Sequence, residues 1–118
     1  MDLVPRLLSG SAYGKPILIT ATGFAGTLIH TAVSGTYVMD FIWLTVSNIH
    51  SEDLLLTVGW GGETDPNTLL CKNFWVPGGS SEIEIATGKM LQNALAITAF
   101  ANVASKLLIS GKVLRYAA

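Results

Sequence analysis

Hydrophobic and polar residues alternate along much of this chain with a period of two. The cleanest case is Glu82-Ile83-Glu84-Ile85-Ala86, with carboxylates at 82 and 84 and isoleucines at 83 and 85. Successive side chains of a strand point to opposite faces, so this pattern predicts a half-buried strand with Ile83 and Ile85 inward. Asp53 to Trp60 reads the same way, with Leu54, Leu56, Val58 and Trp60 on one face. Pro16 to Thr22, Thr27 to Val33, Tyr37 to Ile49 and Thr68 to Val76 are further strand-like runs. Turn residues separate them: Gly23 and Gly26, Ser34-Gly35, Gly61-Gly62 with Asp65-Pro66-Asn67, and Pro77-Gly78-Gly79. A series of about six to eight short strands punctuated by Gly and Pro predicts an all-β sandwich or barrel.

The stretch Lys89 to Leu108 pulls the other way. It is rich in Ala and Leu, and helix propensity alone favours a helix there. Yet Leu95, Ile97, Ala99 and Ala101 alternate with Ala94, Ala96, Thr98 and Phe100, and Leu107 to Leu114 also splits into two faces. Two strands, Ala94 to Ala101 and Ser105 to Tyr116, are predicted, joined at Asn102 to Ser105. Residues 1–15 contain Pro5, Gly10 and Gly14 and show no clean period. They read as an N-terminal arm ahead of one sandwich domain, residues 16–118.

Tyr37 to Ile49 is apolar on both parities. Val38, Ile42, Leu44 and Val46 fall on one face; Met39, Phe41 and Trp43 fall on the other. An antiparallel strand with one wet face carries polar residues there, so both faces are expected to be covered. A partner sheet covers one. The arm, a loop or another subunit covers the other. The arm's Leu3, Leu7 and Leu8, together with Met39, Phe41 and Trp43, are therefore the candidate interface residues.

Composition strengthens the case for association. Only 13% of the 118 residues are charged, the net charge is -1, and half are hydrophobic, against a usual charged share of about 25%. A sparsely charged, nearly neutral surface favours contact with other molecules. The apolar residues do not form a membrane span. The longest uncharged run, residues 16–39, is broken by glycines, threonines and His30. No basic segment precedes an apolar one at the start, so no leader is expected and synthesis in the cytoplasm is.

Little in the chain points to chemistry. There is no phosphate-loop, dinucleotide, nucleophile-elbow or zinc-protease motif. His30 and Asp40 could be imagined as a catalytic pair, but each sits mid-strand among apolar neighbours, where a mutual hydrogen bond is the simpler reading. Cys71 is the single cysteine and reads as a structural thiol in an apolar run. Glu63 and Asp65 share a loop but lack the further oxygen ligands of a calcium site. The seven basic residues are scattered and balanced by eight acidic ones, so the basic stripe of a nucleic-acid binder is missing. Trp43, Trp60 and Trp75 could form a sugar platform, although strand tryptophans commonly serve cores and interfaces. A non-enzymatic protein is expected, without cofactor, metal, nucleic acid, membrane or small-molecule substrate.

Several stretches together resemble small structural proteins of tailed bacteriophages. They are Thr27-Leu-Ile-His-Thr-Ala-Val33, Asp40-Phe-Ile-Trp-Leu-Thr-Val-Ser-Asn48, Leu56-Thr-Val-Gly-Trp-Gly-Gly62 and Val76-Pro-Gly-Gly79. The late segments are Leu91 to Ala101 and Leu108-Ile-Ser-Gly111. The resemblance spans residues 20–116. It implies a single antiparallel, jelly-roll-like β-sandwich located in the virion. The implied role is capsid decoration or cementing, or alternatively a place in neck, tail or fibre attachment. The implied partners are the protein itself, as a homotrimer, and the major capsid protein. A carbohydrate-binding module is the alternative of a different class.

Overall fold

A computed structural model describes residues 2–62 and 67–117. Glu63 and Asp65, the loop carboxylates considered above for calcium, lie outside the described residues. Nine strands are described: β1 (Asp2–Arg6), β2 (Ile17–Leu18), β3 (Thr27–Thr31), β4 (Met39–Asn48), β5 (Leu54–Trp60), β6 (Leu69–Val76), β7 (Ile83–Leu91), β8 (Ala96–Ala101) and β9 (Leu107–Ala117). Among the described residues there is no helix, so none long and apolar enough to cross a membrane.

The strands form two antiparallel sheets. The first has the order β1-β9-β4-β7, with the short β2 pairing with β9 beside β1; the second has the order β3-β8-β5-β6. The pairings nest. β5 pairs with β6, β4 with β7, β3 with β8, and β1 and β2 with β9. The chain is thus one long double ribbon folded at the β5–β6 turn. Two further ladders, β4 with β9 and β5 with β8, hold the wound ribbon closed. The single β-sandwich expected from the sequence is what forms.

The core lies between the sheets and follows the alternation. On β4 every second residue is buried, so Ile42, Leu44 and Val46 face inward. They meet Leu54, Leu56 and Val58 of β5, Ile97 and Ala99 of β8, and Leu107, Ile109 and Val113 of β9 in one cluster. Ile83 and Ile85 pack against that cluster while Glu84 is exposed, as their alternation predicted.

The Ala- and Leu-rich stretch is not helical. β7 runs past Gly88 to Leu91, longer than the Glu82–Ala86 run suggested, because bulges opposite β4 absorb the irregular alternation. A turn at Gln92 to Leu95 then breaks the run. The Leu95 N–H donates to the Gln92 carbonyl, and Asn93 and Ala94 both have positive φ. Ala94 is therefore a turn residue and not the first residue of a strand.

The N-terminal segment differs most from the sequence reading. Asp2–Arg6 forms β1, in register along the last five residues of β9, so this part of the expected arm is an edge strand of the first sheet. Proline at position 5 is compatible with that edge, where a missing N–H need not break an inner ladder. Beyond β1, Leu8 is only 2% exposed and belongs to the core. Its place among the interface candidates is corrected accordingly. The Gly10 N–H donates to the Ile29 carbonyl. A Cβ on Gly10 would fall on the Leu28 carbonyl oxygen, so glycine permits this close approach.

Candidate functional site

His30 and Asp40 do meet. His30 is on β3 and Asp40 on β4, in different sheets, and both are buried. His30 Nε2 lies 2.7 Å from Asp40 Oδ2. On the other side of the ring, the Ser9 backbone N–H donates to His30 Nδ1 at 2.9 Å. An accepting Nδ1 carries no proton, so the proton of the neutral ring sits on Nε2 and is donated to the carboxylate. Arg115 of β9 completes the cluster, with Nε donating to Oδ1 at 2.8 Å and Nη2 donating to Oδ2 at 3.0 Å. Such a two-point grip fixes the carboxylate in plane and in position. Burial alone would push the Asp40 carboxyl up. The bonds from Arg115 and His30 outweigh it and hold the group below its ordinary value. The same carboxylate raises the Arg115 guanidinium against the opposing effect of burial.

Both ring nitrogens of His30 are therefore engaged. The Ser9 hydroxyl is engaged too, accepting from the Thr31 N–H at 2.6 Å. The cluster ties the post-β1 segment to β3 and ties the two sheets together at one end. At the other end Asn48 plays the corresponding part. Its Nδ2 donates to the Glu52 and Val76 carbonyls, and its Oδ1 accepts from the His50 N–H. The buried face of β4 thus starts and ends with a polar inter-sheet pin, with Ile42, Leu44 and Val46 between. Asn48 shares the parity of those apolar residues, and that signal could have marked it. Ser9 and Arg115 carried no comparable sequence signal; Arg115 lies 75 positions from Asp40.

The remaining interface candidates separate by place. Directly opposed residues of neighbouring strands share a face of a sheet. On the outer face of the first sheet, Leu3, Tyr116 and Met39 form one cross-strand row, and Pro5, Leu114, Phe41 and Met90 form the next. Leu3 is 54% and Met90 56% exposed, while Met39 and Phe41 are half-buried. β1 lies beside β9 and not across β4, so the arm does not provide the second cover inferred for β4. Leu7, 56% exposed, follows β1 at the sheet edge. Trp43 belongs to the third row, opposite Lys112 and Thr87, where the face turns polar.

Trp60 and Trp75 lie elsewhere. The Trp60 indole N–H donates to the Met90 carbonyl at 3.3 Å, and Lys89 Nζ sits 5.8 Å from its ring centre. Trp75 is 64% exposed on β6, opposite Leu55. Cys71 is half-buried on the same strand. Burial pushes its thiol up, as suits a packing residue. Comparison with protein-family models, with curated proteins and with solved structures finds no match.

Proposed function

We propose that this chain is a structural subunit of a bacteriophage virion, a decoration or cement protein that binds itself and the major capsid protein and has no catalytic role. The observation that carries the assembly reading is the apolar half of the first sheet's outer face: Leu3, Pro5, Met39, Phe41, Met90, Leu114 and Tyr116 in two adjoining rows. Contiguous exposed apolar rows of this kind mark interaction sites. The virion setting comes from the sequence resemblance. The two packed antiparallel sheets are compatible with the sandwich that resemblance implies.

A cyclic trimer needs two different surfaces on each subunit, because its contacts are head-to-tail. The apolar face supplies one. The adjoining edge supplies the other, with Val4, Leu7 and Leu18 all exposed. Binding only the assembled lattice stabilises it by mass action, about 2.7 kcal/mol per site at a hundredfold excess over Kd.

Light scattering of the purified protein should give a trimer mass. Phe41→Ser combined with Met90→Ser should give a folded monomer, because the centre of the contact is lost. A wild type that stays monomeric and has no affinity for shells would refute the reading. The number of copies per particle separates the virion locations: on the order of hundreds for decoration, about six to twelve for a ring at the neck or tail.

A further inference from the structure

The polar half of the same outer face holds a groove of about 280 Å³ whose chemistry goes beyond the assembly reading. Trp43 of β4 lines it together with Thr45, Glu82, Glu84, Ser110 and Lys112. Gly88 of β7 makes room for the indole. A Cβ there would come within 3.2 Å of Trp43 Cζ2, and its positive φ of 78° is a second reason for glycine. Lys112 Nζ lies over the ring, 5.2 Å from its centre.

Several polar groups around the groove are uncommitted or only weakly engaged. Neither the Glu82 nor the Glu84 carboxylate makes an ion pair or side-chain hydrogen bond with the described residues. The Trp43 indole N–H finds no acceptor among them, whereas that of Trp60 does. The hydroxyls of Thr45 and Ser110 are 3.3 Å apart, a long contact that a better partner can replace. Carboxylates only accept, the ammonium and indole N–H only donate, and the hydroxyls do both.

We infer that this groove binds one ring of a neutral sugar, a hexose unit of a surface glycan. A pyranose carries an apolar C–H face suited to the indole and a rim of hydroxyls that each donate and accept. Glu82 and Glu84 would take hydroxyl protons, while Lys112 and the indole N–H would donate to hydroxyl oxygens. Two carboxylates against one ammonium disfavour an anion. A sugar ring seated on the indole moves the flexible Lys112 ammonium to the rim, where it donates to a hydroxyl oxygen, whereas a cation in that place would lie against a like charge. A purely apolar ligand would leave the polar rim unpaired, which costs binding free energy. The volume is just below the about 300–1,000 Å³ of sites for larger small molecules, so one ring fits and a long chain would extend outside.

The test is a titration of the isotope-labelled full chain with methyl glucoside, methyl galactoside and methyl N-acetylglucosaminide, following the three tryptophan indole N–H signals by NMR. One glycoside should shift the Trp43 signal and spare those of Trp60 and Trp75, with a Kd on the order of 1 mM. Glu84→Gln, an exposed change that leaves the fold intact, should weaken binding at least about threefold, and Trp43→Ala should abolish it. No Trp43 shift with any glycoside overturns the proposal. So does a shift that Glu84→Gln leaves unaltered, or an equal shift with tetramethylammonium, which would make the groove a cation site. The oligomer mass is read independently, so failure here leaves the assembly reading standing.

Discussion

Asp40 is the residue on which most local order converges. Its two oxygens accept from His30, from the Val33 N–H and twice from Arg115. Asp40→Asn removes the charge that those donors surround. Breaking a buried pair costs about 3–5 kcal/mol, and the lower end is expected here because Arg115 is 22% exposed and can still reach water. Denaturant unfolding at neutral pH measures the loss. The sign with pH follows from the direction of the shift. The Asp40 carboxyl is held below its ordinary value of 3.8 in the folded protein. Its contribution is therefore present above that value and is lost as the pH falls through the lower, folded-state value. The unfolding midpoint of the wild type should drop below about pH 4, and the Asp40→Asn variant should show a flatter fall over that window. Leu8→Ala should cost about 2–5 kcal/mol as a core deletion. That outcome would separate Leu8 from Leu7, whose exposed side chain can be changed with little effect on stability.

At the scale of the element, β4 gives the sharpest contrast. Ile42→Ala or Leu44→Ala opens a cavity between the sheets and should cost about 2–5 kcal/mol. Phe41→Ser lies on the half-buried outer face and should cost much less stability while lowering the oligomer mass. Thermal unfolding and light scattering on the same variants decide it: equal destabilisation of all three would mean that both faces are intramolecular core. The turn between β7 and β8 offers a gain. Asn93 and Ala94 have φ of 63° and 56°, a pair of left-handed residues for which Asn-Gly is the favoured sequence. Ala94→Gly relieves a Cβ in that region and should stabilise by about 0.5–1 kcal/mol after the entropy that glycine adds to the unfolded chain. The N-terminal segment is also no free arm in energetic terms. Removing residues 1–13 deletes β1, the Leu8 core contact and the Ser9 bonds to His30 and Thr31. Such a truncation should lower the melting temperature markedly, whereas removing residues 1–6 alone should leave a folded sandwich with weakened association.

The whole molecule is a ribbon whose first and last strands close against each other, β1 on β9. Two polar pins at the ends of β4 fix how the sheets sit, and the apolar cluster between them supplies the burial. The outer face of the first sheet divides along the strand direction into an apolar half and a polar half. The association proposed for the apolar half would involve no ion pair between its row residues, so it should survive high salt. At about 1 M salt the screening length is about 3 Å, and the mass of the proposed trimer, measured by light scattering, should be unchanged. Dissociation under those conditions would point instead to a charge-mediated contact.

Local alternation was enough to place most strands and to sort Ile42, Leu44 and Val46 from Met39, Phe41 and Trp43, because parity along a strand is a property of the backbone. It also located the turns at Ser34-Gly35 and Pro77-Gly78-Gly79, where residue type limits φ and ψ. Alternation could not say which parity of β4 was inside, since both are apolar; the packing of β5, β8 and β9 decided that. It could not find Arg115 for Asp40 or Ser9 for His30, because such partners are brought together by long-range strand pairing and not by spacing. Nor could it see that residues 2–6 are an edge strand, since an edge beside β9 demands no clean period from a segment exposed along most of its length. The division of the outer face into apolar and polar halves likewise exists only once the register sets Pro5, Leu114, Phe41 and Met90 in one row and Lys112, Trp43 and Thr87 in the next.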